Sequence, residues 1–336
     1  MPLKLGVIGI DHGHIFGMLG NLKALGCTCA QYWTDGPAVT ENKFNQVFPE
    51  LEKADDRRRI LDDPEISMIL ISSVPADRAR FAIEAMEAGK DVMVDKPGCT
   101  TLEQLAAIRE VQARTGRIWT VNFSERFEVP AVTRAEELVF GGAIGRVVQT
   151  VGLGPHKQNL KTRPPWFFEK ERFGGILCDI GSHQIDKFLW FTGSKTAEIA
   201  HALVENTTMK QHPGFQDFGE MVLRSEQGHG YVRVDWFTPN GLPTWGDGRL
   251  FIQGTEGCIE LRKYTDIGRA HVTNSLFLVN GDRNELIPCE DDQLPYFPRL
   301  VADIQDRTET AVPQAHTFTV MDLAIRAQMK AESHGS

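Results

Sequence analysis

The sequence predicts an α/β fold in two parts. An N-terminal doubly wound parallel sheet is expected over 1–121, and a C-terminal α+β domain with a large open, mainly antiparallel sheet over 122–336. Three observations predict it. Up to about Asn122, short apolar runs alternate with helix-period segments, the pattern of strands buried on both faces and joined by right-handed crossovers. Beyond Asn122 most segments alternate apolar and polar residues with period two, as strands with one covered face do. Turns such as Thr238-Pro239-Asn240-Gly241 separate several of them.

Taken in order, Leu3 to Ile10 reads as a buried strand. Ile15, Leu19 and Leu22 then fall at helical spacing, with Gly26 as the stop. Cys27 to Trp33 is a second strand, closed by Thr34-Asp35-Gly36-Pro37. Asp55 to Leu61 is helical and leads into the strand Met68–Ile71. Ala76 to Ala88 is a helix ended by Gly89, and Asp91 to Val94 a strand. Thr100 and Glu103 fit a capping box for a helix to Ala113, and Arg117 to Val121 is the next strand. In the second part, a helix is expected over Pro130 to Phe140 and another near Asp179. The strands are Val147–Val151, Ile199–Val204, Phe218–Leu223, Gly230–Phe237, Arg249–Gln253 and Cys258–Arg262. A last helix covers about Thr319 to Ala331.

Composition narrows the function. The 336 residues suit one large or two ordinary domains, and the formal net charge is −9. No basic run interleaves with aromatics, so nucleic acid is not an expected partner. No apolar stretch is long enough to span a bilayer, and the N-terminus enters a strand without a signal-peptide layout. A cytoplasmic protein with no membrane partner is expected. The six cysteines are scattered, and no set has metal-ligand spacing, so no metal is expected and the thiols are read as reduced. His201, His212, His229, His271, His316 and His334 lie in no motif and are taken as structural.

Two stretches carry chemistry. In Cys178-Asp179-Ile180-Gly181-Ser182-His183 the acid and imidazole are four apart, so a helix would stack them on one face. A carboxylate beside an imidazole is a general-base unit, although such a pair is also a common surface contact. Asp95-Lys96-Pro97 follows an apolar strand and offers a cation; by itself Lys96 also fits a solvated lysine at a strand end. After the first strand, Gly9-Ile10-Asp11-His12-Gly13-His14 has the strand–turn–helix setting of a Rossmann-type dinucleotide site, but Asp11 and His14 stand where that fingerprint has glycine. His12 and His14 begin a helix, where a histidine can donate to phosphate. An ordinary βα turn is the alternative. Asp35 is placed to accept from an adenosine ribose, with a turn aspartate as the alternative. No arginine follows it closely in sequence, which favours NAD over NADP.

Several blocks in order across nearly the whole chain resemble the Gfo/Idh/MocA family, named for glucose–fructose oxidoreductase and inositol dehydrogenase. They are Asp63-Pro64-Glu65-Ile66, Val74-Pro75, Glu87-Ala88-Gly89-Lys90, Asp95-Lys96-Pro97, Gly142-Ala143-Ile144-Gly145, Asp179-Ile180-Gly181-Ser182-His183 and Gly254-Thr255-Glu256-Gly257. The resemblance implies that Lys96 lies between nicotinamide and substrate, that Asp179 and His183 reach the same point, and that a cis bond precedes Pro97. It implies cofactor contacts from Gly9, Ile10, Asp11, His12, Gly13, His14, Asp35, Ser73, Pro75, Asp95, Lys96 and Pro97. Asp95 stands where the family has glutamate, and Arg78 where members often have histidine.

Asn122 and Arg126 are candidates for the cleft. His156, Arg163 and Trp166 are candidates for a sugar-binding wall, with Trp166 stacking on a ring, or for an ordered surface loop. The expected function is hydride transfer between NAD, or NADP, and a secondary alcohol or ketone of a sugar, cyclitol or polyol. Lys96, Asp179 and His183 would be catalytic. The alternatives are a non-catalytic sugar- or nucleotide-sensing regulatory protein and an enzyme that recycles a tightly held cofactor in place. A homodimer or homotetramer is expected, because the second sheet has too few helices for both its faces.

Overall fold

Six parallel strands in the order β3-β2-β1-β4-β5-β6 form the first sheet. The computed structural model describes residues 2–269 and 273–333, so His271 and His334 lie outside the described residues. The N-terminal elements are β1 (Lys4–Ile10), α1 (Ile15–Ala24), β2 (Thr28–Trp33), α2 (Glu41–Val47), β3 (Glu52–Lys53), α3 (Arg58–Leu61), β4 (Ile66–Ser72), α4 (Arg78–Glu87), β5 (Asp91–Asp95), α5 (Leu102–Thr115) and β6 (Trp119–Asn122). β1, β4 and β5 are buried almost throughout, as continuous apolar runs in a parallel sheet covered on both faces must be. β3, two residues long, carries no pattern that a sequence reading could find. The cap of α5 is Thr101, whose side chain accepts from Gln104 N, one residue later than the capping box expected at Thr100.

The remaining elements are α6 (Ser124–Phe127), α7 (Pro130–Phe140), β7 (Val147–Pro155), α8 (Lys170–Phe173), α9 (Ile176–Asp179), α10 (Gly181–Thr192), β8 (Glu198–Glu205), β9 (Phe218–Arg224), β10 (His229–Asp235), β11 (Arg249–Gly254), β12 (Gly257–Arg262), β13 (Ser275–Asn280), β14 (Asn284–Pro288), α11 (Tyr296–Asp306) and α12 (Gln314–Ser333). The second sheet has eight strands, ordered β14-β13-β12-β11-β7-β10-β9-β8. All its pairs are antiparallel except β7 with β10. α7 packs on β12 and β13, and α10 on β7 and β10. Val132, Ala135, Val139, Ile252, Ile259 and Leu278 make the core under α7. β13, β14 and α11 lie outside the elements expected from the sequence.

The chain divides into two compact units that do not follow a single cut. One takes the chain up to Asn122 together with Lys161–Gly174 and Pro295–Met321. The other takes Phe123–Leu160, Gly175–Leu294 and the chain from Asp322. The expected boundary near 121–122 is one of several crossings, because segments from late in the chain complete the first unit. Trp119 stacks on Phe318 with ring centroids 5.0 Å apart, and Arg307 grips Asp91 through two bonds of 2.7 Å.

Candidate active site

In the first unit the polar residues gather at the C-terminal ends of β1, β4, β5 and β6. Strand order reverses between β1 and β4, the point at which open α/β sheets bind ligands. Gly9 has φ +78°, and a Cβ there would come within 2.4 Å of the Ser73 Cβ, so only glycine fits. Gly13 is different, since a Cβ there meets nothing within 4 Å. Ile10 ends β1 as a buried residue. His12 N donates to Ser72 O at 3.1 Å, and Ser72 Oγ returns a bond to His12 O at 3.0 Å, tying the turn to β4. Ser73 and Pro75 are buried just beyond β4, where Pro75 opens a short 3-10 turn into α4.

Asp95 is the hub of this end. It is fully buried. Its carboxylate faces His12 Nδ1 and His14 Nδ1, each at 2.8 Å. It also accepts from Ser72 Oγ at 3.2 Å and from Arg78 Nη2 at 3.0 Å. Arg78, equally buried, donates further to the carbonyls of Ser73, Asp95 and Pro97. Burial works to raise the Asp95 pKa, but Arg78 and the two histidines hold the carboxyl well below the usual range. The cofactor contact implied for Asp95 competes with these bonds, because both its carboxylate oxygens already have partners inside the protein. Arg78 fills the place where the family often has histidine and neutralises the acid.

Burial pushes His12 down to about 4, against the pull of Asp95. A neutral His12 that gives its Nδ1 proton to the Asp95 carboxylate presents Nε2 as an acceptor. In that form the outward nitrogen accepts rather than donates. His12, His14 and Asp95 also bring one potential metal-ligand atom each within 4.8 Å of one another, a cluster missed when no metal-ligating set was expected. Arg78 already supplies the counter-charge, so hydrogen bonding accounts for the cluster without a metal. Burial raises Asp11 to about 6, with Arg78 and Arg172 drawing it back.

Lys96 is buried, and the Lys96–Pro97 bond is cis. Asn122 pairs in register with Asp95 across β5 and β6, so it stands beside this group and is likewise buried. Asp35 lies apart, exposed at the end of β2. Arg80 on α4 reaches it at 3.8 Å. Thus an arginine does neighbour Asp35, from a part of the chain that local sequence does not reveal. In the segment Lys161–Gly174, Arg163 rests over the Phe167 ring at 4.2 Å. Trp166 is buried with its edge to Phe167, so it is not an open stacking platform. Its apolar surface is used in packing.

In the second unit, α9 and α10 run on through Ile180, which keeps helical dihedrals. Asp179 ends the first and His183 lies in the opening turn of the second; both are buried. α10 sits close on β7 because Gly152 and Gly154 lack side chains: a Cβ at either would come within 2.5 or 2.9 Å of Gln184. A helix this buried must have its polar groups paired. Arg126 accordingly binds Asp186 through two bonds of 2.7 and 2.8 Å and lies over Trp190. Arg126, a candidate for the cleft, is thus held in a buried ion pair. His156 bonds Gly154 O at 3.0 Å and lies against Trp236 and Trp245.

A second buried group escaped sequence reading. Glu125 Oε2 accepts from Gln184 Nε2 at 2.9 Å, from Lys187 Nζ at 2.5 Å and from Lys263 Nζ. Lys187 lies four residues after His183, a signal the sequence does contain. Glu125 and Lys263 lie in no motif.

Comparison with known proteins agrees with this architecture. Residues 37–123 match the model of an oxidoreductase family with an NAD-binding Rossmann fold, and residues 132–260 that of the GFO/IDH/MocA C-terminal domain. A candidate oxidoreductase from Erwinia carotovora atroseptica SCRI1043 has 41% identity over 98% of both chains and a TM-score of 0.94. The scyllo-inositol 2-dehydrogenase (NAD(+)) of Bacillus subtilis is 27% identical over 84% of this chain and 79% of that protein. The levoglucosan dehydrogenase of Pseudarthrobacter phenanthrenivorans is 33% identical over 69% of this chain and 62% of its own length.

Proposed function

Because the chain belongs to the Gfo/Idh/MocA family of NAD(P)-dependent oxidoreductases, we propose that it moves hydride between the nicotinamide and a secondary alcohol or ketone of a sugar, cyclitol or related polyol. The observation that carries this reading is Lys96, buried directly after the Asp95 hub at the ligand-binding end of the first sheet. Two relatives named for ring polyols, scyllo-inositol and levoglucosan, support the substrate class.

The residues at the switch point fit a dinucleotide. Gly9, Ile10 and Gly13 leave backbone close to it, Ser73, Pro75 and Pro97 flank it, and Asp35 takes the adenosine ribose. His12, with His14 beside it, suits a hydroxyl donor better than a phosphate. The nicotinamide supplies the hydride acceptor. His183 takes the hydroxyl proton, Asp179 steadies the imidazolium, and Lys96 stabilises the developing alkoxide. Asn122, His156 and Arg163 are the substrate-side candidates. We place the enzyme in the cytoplasm, in keeping with six free thiols, five of them buried. Among the described residues no helix is long and apolar enough to cross a membrane.

A panel of sugars and cyclitols, screened with NAD and NADP by nicotinamide absorbance, tests the proposal. Turnover with a ring polyol is expected. Cofactor binding without turnover of any panel member would favour the sensing alternative, for which Asp11 in the phosphate turn is the one argument. Asp35 should make NADH bind tighter than NADPH. Fluorescence titration giving the reverse order would reassign that corner to Arg80.

A further inference from the structure

We propose that the buried cluster of Glu125, Lys187 and Lys263 is a positioning unit for His183, whose surplus positive charge keeps the imidazole unprotonated and ready to accept the substrate proton. The inference rests on the role just proposed for His183.

The stoichiometry is the starting point. One carboxylate oxygen receives two ammonium groups and an amide. The three charged side chains are at most 1% exposed. One lysine would pair the glutamate. A second adds a buried charge without a counter-ion, which stability alone disfavours. Burial works to raise the Glu125 pKa, yet the lysines hold it well below the usual range, and His183 and His156 lie within its field. Glu125 is therefore ionised, and the cluster carries one net positive charge while both lysines are protonated.

That charge acts on His183. Lys187 follows it by one helical turn on α10, so the two side chains share a face. A nearby cation disfavours the imidazolium. Burial lowers Lys187 to about 7, Glu125 opposing and Lys263 adding to the effect. The surplus charge is thus present below about pH 7, the range in which a histidine otherwise takes up a proton. The other charged groups around α10 are mostly paired among themselves. Arg126 faces Asp186 at 2.7 Å and, from α7, the less buried Glu136 at 3.7 Å, so that group keeps one negative charge, held at the Arg126 guanidinium; Asp235 on β10 lies 3.2 Å from Arg233. Asp179 on the same helical run acts in the opposite sense and stabilises the imidazolium once it forms. His156 adds no negative charge. The acid and the cluster together leave a base that resists idle protonation and still holds the proton it takes in turnover.

The test uses the full chain with carbon-labelled histidine, His183 being assigned by comparison with His183→Ala. Lys187→Met and Lys263→Met each leave a one-to-one pair. Each should raise the His183 pKa by about one unit or more, the scale for a unit charge roughly 6 Å away inside a protein. The acid limb of the kcat/KM profile should move up in pH with it. In the unsubstituted protein the His183 signal should also show a second, smaller step near pH 7 as Lys187 titrates, which needs no variant to fold. Folded variants with an unmoved His183 pKa, or absence of that second step, overturn the inference. If the coupling is present but His183→Ala turns over normally, the catalytic assignment of His183 has failed and the electrostatic link has not.

Discussion

Lys96, Asp179 and His183 can be proposed from the sequence because each stands in a contiguous motif. The groups that hold their surroundings were not. Arg78 is 17 residues from Asp95, and Lys263 is 138 residues from Glu125, separations at which only the fold creates a partner. Lys96→Met and His183→Ala are each expected to keep the fold and cofactor binding and to lose about 10²–10⁴-fold in turnover. Near wild-type turnover in either would remove that residue from the proposed set. Asp179→Asn should bind substrate normally but change the pH–rate profile, since it removes the charge that steadies the imidazolium. Arg126 separates the two kinds of role. Arg126→Ala should destabilise the protein by roughly 3–5 kcal/mol in urea, because Asp186 is left buried and uncompensated. In whatever fraction remains folded, KM should be unchanged; a raised KM would restore Arg126 to the substrate site.

Among the elements, the turn from β1 to α1 shows both the reach and the limit of the sequence. The strand, the helix and Gly9 follow from the apolar run and the turn. The behaviour of Asp11 does not, since it depends on burial and on Arg78 and Arg172. A carboxyl whose folded pKa is raised to about 6 binds protons more readily folded than unfolded. Its ionisation therefore costs stability as pH rises from about 4 through 6. Asp11→Asn should melt higher than wild type at pH 8, with the difference shrinking to nothing below about pH 4. It should also tighten dinucleotide binding at pH 8 by removing a negative charge from the phosphate turn. Thermal melts of both proteins across this range, with NADH titrations at the upper end, check both expectations; a melting difference that does not vary with pH would show that Asp11 is not the titrating group.

For the molecule as a whole, the open face of the second sheet is the main unfinished surface. Cross-strand register sets Leu286, Phe277, Glu260, Phe251, Val151, Tyr231 and Val222 in one row on one face, since opposed residues point the same way. Phe251, Val279 and Leu286 are 37%, 44% and 36% exposed. α7 and α10 serve the sheet's buried residues, and a second copy of the chain is the proposed cover for this row. Light scattering should give a dimer or tetramer at micromolar concentration, and Phe251→Lys should shift it toward monomer. A wild-type monomer would reject the proposal. The other large-scale feature is the chain's return to its first unit. Trp119 N donates to Gln314 Oε1 at 3.0 Å across a separation of 195 residues. At bacterial or eukaryotic synthesis rates of roughly 5–20 residues per second, β6 leaves the ribosome about 10–40 s before the helix that covers it has been made. During that interval Trp119 and Asp91 lack the partners that Gln314, Phe318 and Arg307 later supply, so the nascent chain passes through a stage in which its first-made sheet depends on chaperones or on its own solubility to stay apart from its neighbours.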